Sequence, residues 1–242
     1  MSSLKGQVAV ITGASSGIGK SIVLALAKEG VQLCLLGRNP ERLEAIAKMA
    51  RKDSPLVKCY CIDLTKDEDV QKLPQKIDMD FEKIHMLVHS AGVISLGKLE
   101  ISSVKDFDWQ YKTNVRAPFL LTQTLLPMLR SVKGQIVFIN SSAGLKAGVN
   151  NGQYAATKSA LKAIADSFRN ELNIEGIRVL SVYPGRTATS MQETVSKMEG
   201  KEYHPELLLQ SEDIATTVVN ALRMPRSADI TDIHIRPFLK SY

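Results

Sequence analysis

Short runs of apolar residues alternate with amphipathic stretches along all 242 residues of the chain. Val8–Thr12 (VAVIT) precedes an amphipathic run from Ile18 to Glu29 that Gly30 closes. Val31–Leu36 leads into PERLEAIAKMARK. Pro40 suits the first position of that helix, where its missing N–H would find no partner anyway. Val57–Ile62, His85–Ser90, Gly134–Asn140 and Ile177–Tyr183 supply four further strands, and Ile233–Ile235 a short seventh. Most of these runs are apolar throughout rather than at alternate positions. Strands of that kind are covered on both faces, as in a parallel sheet flanked by helices. The pattern predicts a Rossmann-type, doubly wound α/β fold of about seven strands, with 1–242 as one domain.

In such a sheet, ligands lie beyond the carboxyl ends of the strands, where the strand order reverses. The residues that follow each strand are therefore where chemistry is expected. After the first strand comes TGASSGIG, with Gly13, Gly17 and Gly19 spaced four and then two apart. Glycine lets a backbone approach a ligand closely, and a helix N-terminus offers unpaired N–H groups to a phosphate. The spacing differs from G-x-G-x-x-G, so alone the stretch is either a phosphate grip or a tight turn. After the second strand, Gly37 leaves space and Arg38 offers a cation suited to a 2′-phosphate, where an NAD site would place a carboxylate. NADP(H) is expected on that ground. Asp63 follows the third strand, where it either accepts a hydrogen bond from an adenine amino group or begins the next helix. The fourth strand ends in His89-Ser90-Ala91-Gly92, whose small residues leave room for a ribose.

The other half of the chain carries candidate proton chemistry. Ser141 stands just past the fifth strand, and Tyr154 follows thirteen residues later at the start of a helix. Lys158, four further on, shares a helix face with Tyr154. A phenol with its ordinary pKa of about 10 exchanges protons poorly at neutral pH, and a neighbouring ammonium favours the phenolate. Tyr154 then suits a general acid/base and Ser141 a hydrogen-bond donor to a carbonyl oxygen; otherwise the pair is helix surface. Lys112–Leu129 reads as one α-helix in which Pro118 has no N–H to give the Asn114 carbonyl. That carbonyl is expected either to hold a water leading to Lys158 or to mark an ordinary proline kink.

Composition excludes more than it adds. Hydrophobic residues make up 44% and charged residues 23%, as in an ordinary soluble protein. No apolar run approaches the roughly 20 residues of a membrane span, and MSSLKGQ is too short and polar for a secretion signal. A cytoplasmic protein without a membrane partner is expected. The net charge of +6 is spread out, with no basic tract and no interleaved aromatics. Nucleic-acid binding is weakly supported by it, and an anionic small ligand fits the charge equally well. Cys34, Cys59 and Cys61 lie in strand-like runs and are expected in the core, not in disulfides. The four histidines lack metal-ligand spacing, so no metal is expected.

Taken together, these residues resemble the short-chain dehydrogenase/reductase family over nearly the whole chain. The motifs are Thr12-Gly13-x-x-x-Gly17-x-Gly19, Asp63, Ala91-Gly92, Asn114, Ser141, Tyr154-x-x-x-Lys158 and Pro184-Gly185-x-x-x-Thr189. The resemblance implies a catalytic set of Asn114, Ser141, Tyr154 and Lys158, and hydride transfer between NADP(H) and a small carbonyl/secondary alcohol pair. It implies cofactor contacts from Gly13, Ser15, Ser16, Gly17, Ile18, Gly19 and Arg38, from Asp63, Leu64, His89, Ala91 and Gly92, and from Tyr154 and Lys158. Pro184, Gly185, Thr187 and Thr189 would hold the nicotinamide end. A cofactor half near 1–130, a catalytic half near 131–242 and a homodimer or homotetramer built through the helices of Asn114 and Tyr154 also follow from it. Three departures stand out: His89-Ser90 replaces the family's usual Asn-Asn, Asn140 stands where a serine is common, and the C-terminal Thr-Gly-Gln and Asp-Gly-Gly elements are missing. Ser190–Leu209 is expected to be the substrate loop. The rival reading is a catalytically silent nucleotide sensor or scaffold, which would need no such four-residue set.

Overall fold

The computed structural model describes residues 2–238; Met1 and 239–242, which the expected domain includes, lie outside the described residues. Seven strands form one parallel sheet: β1 (Val8–Thr12), β2 (Gln32–Gly37), β3 (Val57–Cys61), β4 (Met86–His89), β5 (Gln135–Ile139), β6 (Arg178–Pro184) and β7 (Asp232–Ile235). Their order is β3-β2-β1-β4-β5-β6-β7, so the chain reverses its direction of growth between β1 and β4.

Along each strand, alternate side chains enter opposite helix layers. Ala9, Ile11, Leu33 and Leu35 pack under α1 (Gly17–Lys28), α2 (Pro40–Ala50) and α9 (Ser211–Leu222). Val10, Cys34, Leu36, Ile136 and Phe138 face the other layer. That layer holds α3 (Asp67–Gln71), α4 (Leu73–Asp78), α6 (Ala117–Arg130) and α7 (Gly152–Leu172). Coverage on both faces is why the central strands are apolar throughout. The edge strands differ: β3 buries only Val57 fully, and β7 alternates exposed and half-buried positions. The expectation that all three cysteines are core residues is corrected accordingly. Cys34 is buried, Cys59 is half-buried and Cys61 is exposed on the outer edge.

Two elements depart from the expected pattern. The stretch around Asn114 belongs to a longer helix that begins with α5 (Val104–Tyr111) and runs through Arg130. Its middle, Lys112–Arg116, is a π-turn in which the Ala117 N–H reaches the Lys112 carbonyl. Pro118 therefore follows a π-turn rather than sitting within regular α-register, where its missing donor would fall opposite Asn114. The Ser190–Leu209 segment is not a plain loop but forms α8 (Ser190–Met198), its first turn capped by Thr189, whose hydroxyl accepts from the Gln192 N–H. Among the described residues no helix is long and apolar enough to cross a membrane.

Candidate active site

At the end of β1 the Thr12 hydroxyl accepts hydrogen bonds from the Ser90 and Ala91 N–H groups, at 3.0 Å each. It thereby pins the segment after β4 against the glycine loop. Gly13 has a positive φ of 63°, and a Cβ there would lie 2.9 Å from the Ala91 backbone. A Cβ on Gly19 would lie 2.3 Å from the Gly13 carbonyl oxygen. Both positions require glycine for close packing of the loop on itself. Ser16 begins α1 but makes no side-chain cap, and the first turn holds no acidic residue. The N–H groups there keep their partial positive charge available.

These groups open onto a cavity of about 240 Å³ lined by Gly13, Ser15, Ser16, Gly17 and Ile18, by Arg38, Asp63 and Leu64, and by Ala91, Gly92 and Thr189. Gly19 is the close-packed support behind it. Arg38 is exposed at this cavity, and among the described residues no carboxylate forms an ion pair with it. Asp63 closes a turn, with one carboxylate oxygen accepting from the Thr65 N–H and hydroxyl. Partial burial pushes its carboxyl up, but the two Thr65 bonds with Arg38 and Lys66 outweigh this and hold it below the usual range.

A second cavity, of about 770 Å³, adjoins the first along Ile18, Thr189 and Met191. Ser141, Tyr154, Pro184, Gly185 and Thr187 line it. Burial pushes the Tyr154 phenol up to about 12, and the Ser141 hydroxyl pulls the other way. Lys158 lies behind the wall: its Nζ donates to the Ile139 carbonyl at 3.0 Å and stands 5.8 Å from the centre of the Tyr154 ring. Burial brings its ammonium down to about 8. The pair is thus a buried wall element, not helix surface, and burial is the largest influence on both groups.

Asn114 is also behind the wall and buried. Its Oδ1 accepts from the Val93 N–H at 2.8 Å, and its Nδ2 donates to the Val93 carbonyl and to the Thr157 hydroxyl. Its side chain holds the segment between the two cavities. His89 corrects an expectation. Its side chain enters the core, stacked on Phe138 with ring centres 4.8 Å apart, and meets the Thr122 hydroxyl at 2.8 Å. That hydroxyl also lies 2.8 Å from the Pro118 carbonyl, and donating there leaves its oxygen to accept from the imidazole. Burial holds the imidazole down at about 3, neutral and out of reach of either cavity. In its place Ser90 lines the first cavity.

Several contributors were not singled out from sequence. Thr157, Gln110 and Gln153 act through side-chain bonds across helices, which no local spacing reveals. Thr113 and Val93 line the first cavity only because of how the chain turns, and Met191 reaches it from the expected substrate loop. Thr12 stands in the glycine motif, but nothing in the sequence marks its hydroxyl as the acceptor of the Ser90 and Ala91 N–H groups.

The residues of the first cavity fit a phosphate-bearing dinucleotide. Uncapped N–H groups and two serine side chains meet at one end, an unpaired guanidinium stands at the other, and glycines remove side chains between them. Comparison with known proteins agrees. Residues 7–200 match the family model for short chain dehydrogenases. An uncharacterized oxidoreductase of Staphylococcus aureus is 31% identical over 98% of this chain and all of its own length. The structure of an alcohol dehydrogenase from Thermococcus sibiricus, complexed with 5-hydroxy-NADP, is 27% identical, covers 98% of this chain and 99% of its own, and superposes with a TM-score of 0.89. A xylitol dehydrogenase with bound NAD+ is 25% identical, covers 97% and 99%, and gives a TM-score of 0.88. The glycine loop at the switch point, the match through residue 200 and the shared sheet together make this chain an oxidoreductase of the short-chain dehydrogenase family.

Proposed function

We propose that the protein is an NADP(H)-dependent reductase or dehydrogenase that interconverts a carbonyl compound and a secondary alcohol. The observation that carries this reading is the Tyr154 phenol, buried on the wall of the larger cavity beside Ser141 and backed by the Lys158 ammonium. When bound, NADP(H) supplies or accepts the hydride. The N–H groups of Gly17, Ile18 and Gly19 with Ser15 and Ser16 would hold the pyrophosphate, and Arg38 the 2′-phosphate. Asp63 and Leu64 would border the adenine, Ala91 and Gly92 a ribose, and Pro184, Gly185, Thr187 and Thr189 the nicotinamide end. Ser141 orients the substrate oxygen by hydrogen bonding. Tyr154 gives that oxygen a proton in reduction and removes it in oxidation. Lys158 stabilises the phenolate left behind and reaches toward the ribose hydroxyls, while Asn114 keeps the intervening wall in place.

Arg38 favours NADP(H) over NAD(H), because a guanidinium meets a phosphate with two charge-assisted bonds. The apolar depression on α6 and α7, formed by Phe119, Ala163, Ile164 and Phe168, supports assembly of copies through those helices; sedimentation equilibrium would read their number. The test of function is an NADPH-oxidation screen against aldehydes, diketones, 3-oxo acids and steroids, with Tyr154→Phe as control. Turnover by the native protein and its loss in the variant are expected. NADPH binding without turnover, unchanged in Tyr154→Phe, would instead mark a nucleotide sensor.

A further inference from the structure

Residues 90–98 have no regular secondary structure, yet they wall both cavities. Ser90, Ala91, Gly92 and Val93 face the first; Ile94, Leu96, Gly97 and Lys98 face the second. The first half is held by the Thr12 hydroxyl and by both ends of the Asn114 carboxamide. The second half is tied to the helix by Ser95 alone: its N–H donates to the Oε1 of Gln110 at 3.0 Å and its hydroxyl to Asp106 at 3.4 Å. Farther along, the Gly97 N–H donates to the Asn150 carbonyl at 2.8 Å, and the Lys98 carbonyl accepts from the Ile101 N–H and the Ser102 hydroxyl.

Gln110 is fully buried, which a primary amide tolerates only when its groups are paired. Its Nε2 donates to the Gln153 Oε1 at 3.2 Å, and the Gln153 Nε2 donates on to the Ser103 carbonyl at 2.9 Å. A repeating geometry emerges. Gln110 and Asn114 lie four apart on one helix, and their partners Gln153 and Thr157 lie four apart on α7. Each pair forms a rung between the helices, and each rung also grips the 90–98 segment, at Ser95 and at Val93. Gln153 and Thr157 immediately precede Tyr154 and Lys158 in sequence.

We propose that Gln110 is a positioning residue that clamps the substrate-facing half of this segment to the helix turn carrying Tyr154. This rests on the oxidoreductase reading above. It assigns the two rungs different duties. The Asn114 rung serves the wall of the cofactor cavity, and the Gln110 rung sets the distance across the substrate cavity, between Ile94–Lys98 and the Tyr154 hydroxyl. Misplacing reacting groups by small distances is costly to turnover, so a loosened clamp lowers catalysis without weakening cofactor binding.

The experiment compares native protein, Gln110→Leu, Gln153→Leu and the double variant. Three readouts are taken: amide hydrogen exchange by mass spectrometry, NADPH affinity by titration, and steady-state reduction of 4-nitrobenzaldehyde. In Gln110→Leu, exchange over 94–98 should speed up by about fivefold, the loss of roughly one hydrogen bond, while 90–93 stays protected. NADPH affinity should stay within about twofold, and kcat/KM for the aldehyde should fall by about tenfold. The double variant should be little worse than Gln110→Leu, as expected for residues in one network. Gln153→Leu leaves the Ser95 bond intact, so it tests the tie to α7 even if Gln110→Leu folds poorly; a smaller fall in kcat/KM with unchanged NADPH affinity is expected. Unchanged exchange over 94–98 overturns the proposal. So does faster exchange across all of 90–98 with an equal loss of NADPH affinity, which marks general loosening. If the native protein reduces no carbonyl, the proposed carbonyl–alcohol activity fails, and the exchange pattern still decides the clamp.

Discussion

Lys158 is placed where its charge is hardest to keep, and that has a measurable consequence. Its ammonium is lowered to about 8, so between there and the ordinary value near 10.4 the unfolded chain binds the extra proton. Lys158 therefore costs stability below pH 8, and the cost fades as pH rises toward 10. Tyr154 and Cys34 are shifted upward and act in the opposite sense, but both remain in a Lys158→Met variant. Met should accordingly stabilise the protein at pH 7, with an advantage over the native chain that shrinks between pH 8 and 10. Urea midpoints at each pH would show it, and a constant advantage would contradict the depressed value. Catalysis moves the other way: Tyr154→Phe should lose about 10²–10⁴-fold in kcat while still binding NADPH. Arg38→Asp should weaken NADPH by roughly 10–100-fold and move preference toward NADH, read as the ratio of kcat/KM values. Arg38 was legible because it follows a strand end, where an α/β sheet presents its ligands, and Tyr154 and Lys158 because of their spacing from the strand-end Ser141 and from each other. His89 also ends a strand and still misled. Leu87 and His89 share a side-chain parity that points into the α6 layer, and only the packed molecule shows that the layer extends that far.

Elements were readable in proportion to how strongly packing marks them on the chain. Central strands buried on both faces are unbroken apolar runs, and their observed bounds fall within a residue of the expected ones. The π-turn at Lys112–Arg116 leaves no such trace, since one wider turn shifts the register without a period of its own. Segment α8 does carry a stripe at Met191, Val195 and Met198, but it is only nine residues long, buries only Val195 and Ser196, and so reads equally as a loop. The glycine loop is the opposite case, with sequence and packing giving the same answer. Gly19 lies in the first turn of α1, and a Cβ there would stand 2.3 Å from the Gly13 carbonyl oxygen. Gly19→Ala must push that turn away from the loop. About 1–3 kcal/mol of stability should be lost to the overlap, and NADPH affinity should fall at least tenfold as the N–H groups lose their aim. Urea unfolding and NADPH titration would check the two effects. Native affinity in Gly19→Ala would mean the pyrophosphate is held elsewhere.

At the scale of the molecule, the two halves expected from the sequence meet in one continuous sheet, β3-β2-β1-β4 from the first and β5-β6-β7 from the second. The parallel sheet passes without a gap from β1 through β4 to β5. Helix α9, near the end of the chain, packs on α1, near its start. The Ser21 hydroxyl there donates to Glu212 at 3.0 Å and lies 2.8 Å from the Ser211 hydroxyl, and Glu29 pairs with Arg223 at 3.1 Å. The Ser2 N–H donates to the Arg223 carbonyl. A cofactor bound at the switch point between β1 and β4 would therefore stabilise residues on both sides of any division near residue 130. Calorimetry should show one transition whose van't Hoff and calorimetric enthalpies agree, as for a single cooperative unit. NADPH at about 100 times its Kd should add roughly 2.7 kcal/mol and, for a chain of this size, raise Tm by about 5–10 °C. Two transitions, with only the lower half of the chain responding to NADPH, would show that the halves fold apart. One transition that NADPH leaves in place would show instead that the dinucleotide does not bind the folded chain, which would remove the cofactor from the proposed reaction.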